Sequence, residues 1–189
     1  DWCNNEGRNA PAAYKIMGDA LKKSGRPIIL SICEWGHSKP WTWGHGIGQL
    51  WRTTHDIISV FSGTVHWGAL GIVGIIDQNA ELYNYSGPGH WNDPDMLQVG
   101  NPGLSMEENR SHFTMWCMLA APLIAGNDIC KMDKEVAKIL MNKEVIAVDQ
   151  DRLGKQGRRY KVLGKNEIWV KQLSGDEVAV CLFNRDDHF

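Results

Sequence analysis

The sequence lacks any apolar run of about 18 residues, so it holds no candidate membrane-spanning helix. It lacks an excess of either charge: 20 Lys and Arg stand against 22 Asp and Glu, a net charge of −2 over 189 residues. An electrostatic footprint for nucleic acid or anionic lipid is therefore not expected. It lacks any CxxC pair. Five cysteines, Cys3, Cys33, Cys117, Cys130 and Cys181, make an odd count with no zinc pattern and no closed disulfide framework. The histidines at 37, 45, 55 and 66 are scattered on loops without metal-ligand spacing, so neither a metal nor another cofactor is expected. There is no internal repeat and no low-complexity segment. Phe and Tyr are scarce, at four each.

Trp is not scarce. Nine are present, each with a broad apolar face and one N–H donor. Sugar rings present apolar C–H faces that suit such side chains; a Trp-rich core accounts for them equally well. At 43% hydrophobic and 22% charged, the chain has the balance of a globular protein, one domain or a domain with a small appendage.

Elements alternate along most of the chain. Asn9 and Pro11 open a helix whose apolar residues Ala13, Ile16, Met17, Ala20 and Leu21 recur at helical spacing until Gly25. Pro27–Cys33 is a short apolar run suited to a strand buried on both faces of a parallel sheet. Gln49–Asp56 is expected to be a strand end with its loop, and Ile57–Phe61 a helix. Residues 62–90 resist assignment, and His90–Val99 is turn-rich around Asn92, Asp93 and Pro94. Ser105 and Glu108 form a capping box opening a helix through Trp116, Leu119 and Ala120. Leu123–Ala125 is a candidate short strand, and Asp133 begins another helix carrying Val136, Ile139 and Leu140. From Arg159 the period changes to two, with Ile168 and Val170, then Val178, Val180 and Leu182, across a Ser174-Gly175-Asp176 turn. Strand and helix alternating, then strands alone, predict a parallel β/α domain followed by an all-β one. The first residues resemble a strand end and the last, Glu177–Phe189, a strand in progress; the chain is expected to be a fragment of a longer protein.

Acidic and aromatic residues gather where strands should end: Asp1; Glu34 with Trp35; Trp51 and Arg52 with Asp56; Trp91 with Asp93 and Asp95. In a β/α barrel such ends share one face. Converging carboxylates with an Arg and Trp suit glycoside hydrolysis, which needs one carboxylate as nucleophile or base and one carboxylic acid for the leaving oxygen. By spacing alone the same residues also fit turns, helix caps and solvated edges.

Longer motifs sharpen this. D-W-C-N at Asp1–Asn4, S-I-C-E-W-G at Ser31–Gly36, W-R-T-T-H-D-I at Trp51–Ile57, G-P-G-H-W-N-D-P-D-M-L at Gly87–Leu97, A-A-P-L-I-A-G-N-D at Ala120–Asp128 and V-I-A-V-D-Q-D-R-L-G-K-Q-G at Val145–Gly157 together resemble glycoside hydrolase family 27, the α-galactosidase family. The resemblance implies the C-terminal half of a (β/α)8 TIM barrel at residues 1–152, then the start of an antiparallel β-sandwich at 153–189. It implies Asp1 as nucleophile and Asp56 as acid/base. It places Cys33, Glu34 and Trp35 on the loop that recognises the sugar's 2-position, Arg52 near the 2-hydroxyl, and Asp95 and Met96 on the pocket wall. Asp93 is expected to be a turn residue.

An acid that stays protonated near neutral pH wants burial beside the other carboxylate, a setting expected for Asp56. The resemblance further implies retention of configuration, an α-galactoside saccharide as substrate, and a disulfide from Cys3 to a cysteine upstream of this sequence. It also implies a secreted, periplasmic or lysosomal location, with the leader outside this sequence. Barrel strands one to three would also lie upstream, so the fragment alone is expected to be inactive. β-L-Arabinopyranoside and α-N-acetylgalactosaminide hydrolysis within the same family, and sugar binding without turnover, are the alternatives. Trp2 departs from the small polar residue usual between the nucleophile and Cys. Trp41, Trp43, Trp116 and Trp169 are expected to pack. Asn84 and Asn109 begin N-glycosylation sequons, relevant to a eukaryotic secretory protein.

Overall fold

The computed structural model describes residues 1–186. The last three residues of the expected sandwich segment and of the terminal strand pattern lie outside it.

Helix α1 spans Ala10–Lys23, and Asn9 starts it by accepting the Ala12 N–H at 3.0 Å. Three short strands follow, each preceding a site loop: β1 at Ser31–Ile32, β2 at Leu50–Arg52 and β3 at Trp91–Asp93. They pair in parallel in the order β1-β2-β3, with Ile32 opposite Trp51 and Arg52 opposite Asp93. All three therefore run toward the same edge and deliver the residues that follow them to one place. Helix α2 (Ile72–Asn79) connects β2 to β3, and α3 (Met106–Met118) follows β3. Ser105 and Glu108 close the expected capping box: Ser105 Oγ accepts the Glu108 N–H at 3.2 Å, and Glu108 Oε2 accepts the Ser105 N–H at 2.6 Å. Helices α4 (Lys134–Leu140) and α5 (Lys143–Asp149) complete the helical part. The strands β4 (Arg158–Leu163), β5 (Asn166–Gln172) and β6 (Val178–Asn184) form a separate antiparallel sheet in sequence order.

Two apolar clusters support these layers. The smaller joins Ala10 and Tyr14 of α1 to Ile32 and Trp51, with Trp2, Trp41 and Trp43 at its margin. The larger packs α2, α3 and α4 together and extends to Trp169 and Phe183 of the antiparallel sheet. Trp116 and Trp169 are fully buried, as expected. Polar ties reinforce the same junction. Lys171 Nζ donates to the Cys117 carbonyl at 2.8 Å from a buried position. Arg159 and Arg185 both pair with Asp77 and with the buried Glu167.

Several expectations need correction. Ile57–Phe61 is not a helix. Its amides answer to distant partners: Ile57 N–H donates to the Asp95 carboxylate at 2.9 Å and Ile58 N–H to the Leu70 carbonyl at 2.9 Å. The Val60 and Phe61 carbonyls likewise accept the Ile72 and Val73 N–H groups at 3.1 and 2.9 Å, so the segment's backbone pairs with residues 70–73 instead of forming an i to i−4 ladder. Of Pro27–Cys33 only Ser31–Ile32 is strand, and Ile29 is 72% exposed rather than buried. β1 has a paired neighbour on one side only, so one flank of the run is uncovered. Leu123–Ala125 makes a single parallel bridge, Ala125 to Leu97, instead of a strand. Within the turn-rich stretch His90–Val99, Trp91–Asp93 is strand, because its amides and carbonyls continue the parallel ladder from β2. Helix α2, in the unassigned stretch, was not legible, and neither was α5.

Candidate active site

The C-terminal ends of β1, β2 and β3 bring the acidic residues together. Arg52, the last residue of β2, lies at the centre. Its Nη2 donates to Asp56 Oδ1 at 3.0 Å and to the Thr54 carbonyl at 3.3 Å, and forms an ion pair with Asp95 Oδ2 at 2.8 Å. The Asp56 carboxylate also accepts the Trp35 indole N–H at 3.2 Å. On the other side of β1, the Cys33 thiol donates to Asp1 Oδ1 at 3.2 Å. Burial pushes the Cys33 thiol upward; Arg52 and the N-terminal amine oppose the rise, and Asp56 and Asp93 add to it. That one thiol touches Asp1 and feels Arg52, Asp56 and Asp93, which ties the loops after all three strands into a single electrostatic site.

Local geometry holds each group. Tyr14 of α1 clamps Cys33 from below: its hydroxyl donates to the Cys33 carbonyl at 2.8 Å and accepts the Cys33 N–H at 3.2 Å. Glu34 is buried; Oε2 accepts the Ser38 N–H at 2.6 Å, and Oε1 has no hydrogen-bond partner. Trp35 stands at φ 58° and Asp95 at φ 84°, conformations that non-glycine residues hold only when the surroundings impose them. Gly36, at φ +80°, passes so close to the β2 loop that a Cβ there would lie 2.2 Å from the Thr53 carbonyl oxygen. Asp95 accepts the Ile57 N–H at 2.9 Å and the Met96 N–H at 2.8 Å, and its own N–H donates to Asp93 Oδ1 at 2.9 Å. Trp116 of α3 anchors the turn through its indole N–H to the Asp95 carbonyl at 2.8 Å.

The expected residues fall into two contact sets, Asp1 with Cys33, and Trp35, Asp56, Arg52 and Asp95, carried on adjacent strand-end loops. Glu34 sits in the same loop, turned toward Ser38. Met96 joins through its backbone, while its side chain is 42% exposed and lies against Gly126. Asp56 departs from the expected burial: its side chain is 47% exposed. Asp93, read as a turn residue, proves to be a buried strand-end carboxylate that positions Asp95; burial raises it to about 6, against the pull of the Asp95 N–H and Arg52. Tyr14 carried no site signal, because it lies 19 residues before Cys33 and only packing joins them. His37 and His55 were read as scattered, yet their Nε2 atoms are 3.1 Å apart.

All five cysteines are unpaired, so the bridge implied for Cys3 has no partner among the described residues. Two hollows lie elsewhere. One of about 690 Å³ opens at the N-terminal ends of the parallel strands, beside Leu50 and Trp91; another of about 450 Å³ lies between α3 and β6. Of the two sequons, Asn109 is buried with its amide engaged to Gly100 and Ser105, and Asn84 is exposed. No helix of the described residues is long and apolar enough to cross a membrane.

Parallel strands alternating with helices, with carboxylates gathered at the strand C-terminal ends and an antiparallel sheet behind, define part of a β/α barrel joined to a β-sandwich segment. Family comparison gives the same division. The alpha galactosidase A family model matches residues 1–151, and the model of the alpha galactosidase A C-terminal beta sandwich domain matches residues 154–188. The chain belongs to the alpha galactosidase A family. It is 45% identical over 190 residues to alpha-galactosidase A of Cellvibrio japonicus, covering 99% of this chain and 47% of that protein. Among solved structures, alpha-galactosidase I of Mortierella vinacea superposes with a TM-score of 0.93 at 35% identity, over 98% of this chain and 51% of that one. The Saccharomyces cerevisiae alpha-galactosidase structure with raffinose gives 0.92 at 29% identity, over 96% and 47%. The chain spans about half the length of the curated relatives it matches.

Proposed function

We propose that the chain carries the acid/base half and the nucleophile of a retaining α-galactosidase, with Asp1 as nucleophile and Asp56 as acid/base. The observation that carries this reading is the gathering of two contact sets at the strand C-terminal ends, Asp1 with Cys33, and Trp35 through Asp56 and Arg52 to Asp95. Relatives of this length ratio are named alpha-galactosidase, and the Saccharomyces cerevisiae structure holds raffinose; a galactoside saccharide is the substrate class proposed here.

In the retaining scheme Asp1 attacks the anomeric carbon while Asp56 gives its proton to the departing glycosidic oxygen. The resulting galactosyl ester on Asp1 is then opened by water, whose proton returns to Asp56. Arg52 is positioned to orient Asp56 and to meet the 2-hydroxyl, where hydrogen bonds strengthen as positive charge builds on the ring. The Trp35 N–H fixes the Asp56 carboxylate, and its ring supplies the apolar wall. Glu34 fills the loop assigned to the 2-position, where a smaller residue would leave room for an acetamide. Its bulk supports galactoside over N-acetylgalactosaminide. Residues 1–152 then belong to the barrel and 153–189 to the sandwich, in a protein acting outside the cytosol.

The test uses the complete gene product with p-nitrophenyl α-D-galactopyranoside, following the released sugar by proton NMR. α-Galactose appearing before mutarotation supports the two-carboxylate mechanism. D1N and D56N should each lower kcat by at least about 10²-fold, the lower end expected for losing a general acid/base. First-formed β-galactose, or unchanged rates in either variant, would overturn the assignment.

A further inference from the structure

The histidine pair beside Asp56 is not used by this mechanism. His37 follows the Trp35–Gly36 turn and its ring lies 5.8 Å from that of Trp35. His55 immediately precedes Asp56, and its ring lies over Gly68, where a Cβ would touch ring atoms at 3.6–3.7 Å. The His55 ring is thus packed on one side, while His37 is exposed. Their Nε2 atoms are 3.1 Å apart and their centroids 4.9 Å apart.

These two distances are compatible with a shared ion. Two imidazoles bound to one ion at about 2.05 Å, with nitrogens this far apart, subtend about 98° at the ion and put their centroids about 4.8 Å apart. A head-on N–H···N hydrogen bond of the same length puts the centroids about 5.4 Å apart. The observed 4.9 Å fits the first and also a bent hydrogen bond between the rings, so the two nitrogens stand close enough to share either a proton or an ion. An angle between tetrahedral and square-planar values, with imidazole donors, selects borderline divalent transition ions over hard cations.

We propose that His37 and His55 chelate one divalent ion of the Ni²⁺, Cu²⁺ and Zn²⁺ class at the rim of the carboxylate cluster. No group of three or more His, Cys, Asp or Glu suited to a metal occurs among the described residues, so water fills the remaining positions and the ion is exchangeable. The pair adjoins both partners of the Trp35–Asp56 contact, His55 next to Asp56 in the chain and His37 with its ring 5.8 Å from that of Trp35; that an ion there obstructs the acid rests on the functional reading above, whereas binding does not.

The experiment measures Ni²⁺ uptake by the complete gene product in non-chelating buffer without substrate, by titration calorimetry, with Mg²⁺ as control. The wild type should take up one Ni²⁺ unaffected by excess Mg²⁺, and H37A and H55A should each weaken it at least tenfold. A Cu²⁺ electron paramagnetic resonance spectrum of the wild type should show coupling to two imidazole nitrogens, a readout independent of how well the variants fold. Equal Ni²⁺ uptake by wild type and H37A/H55A, or a Cu²⁺ spectrum without that coupling, overturns the site. With galactoside present, Ni²⁺ should slow turnover in the wild type more than in the variants; turnover indifferent to a loaded site overturns its placement across the acid.

Discussion

Replacing Arg52 by Leu tests whether this guanidinium organises the site or merely decorates it. Arg52 and Asp95 are each only 10% exposed at the side chain and meet at 2.8 Å. Removing the cation leaves a buried carboxylate uncompensated, a loss of about 3–5 kcal/mol in comparable pairs. Asp95 keeps two backbone donors, Ile57 and Met96, so the lower end, about 3 kcal/mol, is expected. The assay is urea unfolding of the complete gene product. Adding D95N to R52L should recover part of the loss, with a coupling of about 1–3 kcal/mol. Recovery is incomplete because each carboxylate oxygen accepts a different N–H, and an amide satisfies only one of them. A loss for R52L under about 1 kcal/mol, within the range of an ordinary surface ion pair, or no recovery with D95N, refutes the reasoning.

Asp93 predicts a pH dependence. Its folded value of about 6 lies above the ordinary 3.8, so between those values the folded state holds the proton more tightly. Its contribution to stability is full below about pH 3.8 and is lost as pH rises through about 6, by roughly 3 kcal/mol at one pKa unit per 1.36 kcal/mol. The stability difference between D93N and wild type should therefore grow in the variant's favour from pH 4 to 6.5; a flat difference over that window would show that burial of the charge is not what matters. Gly36→Ala should destabilise by more than about 2 kcal/mol, since a positive φ alone costs about 1–2 and the Cβ also meets the Thr53 carbonyl; an unchanged melting curve would sink the claim that this close approach holds the Trp35 loop.

Much of this was legible before folding. Local signals marked α1, the Ser105–Glu108 capping box and the period-two strands after Arg159, because caps and hydrophobic periods act over a few residues. Asp1, Arg52, Asp56 and Asp95 were legible through motifs whose residues stay near one another in the chain. The composition of Ile57–Phe61 suits a helix, while its backbone pairs with Asp95 and with residues 70–73 across the fold. Helix α2, with its polar Asp77 and Asn79, was hidden among glycines, and tertiary packing of Ile72, Ile75 and Ile76 makes it a helix.

The sequence by itself determined which chemistry is present: carboxylates, one arginine and Trp35 at strand ends, with no surplus charge. Only the tertiary structure decided which of them meet. Parallel pairing in register sets Arg52 opposite Asp93, and the turn at Asp95 then carries a third carboxylate back onto Arg52. The Tyr14 clamp on Cys33, the burial of Asp93 and the convergence of His37 with His55 all depend on distances between segments far apart in the chain. Composition and local spacing carry no term for those distances; burial, register and the closing of the three strand-end loops supply it.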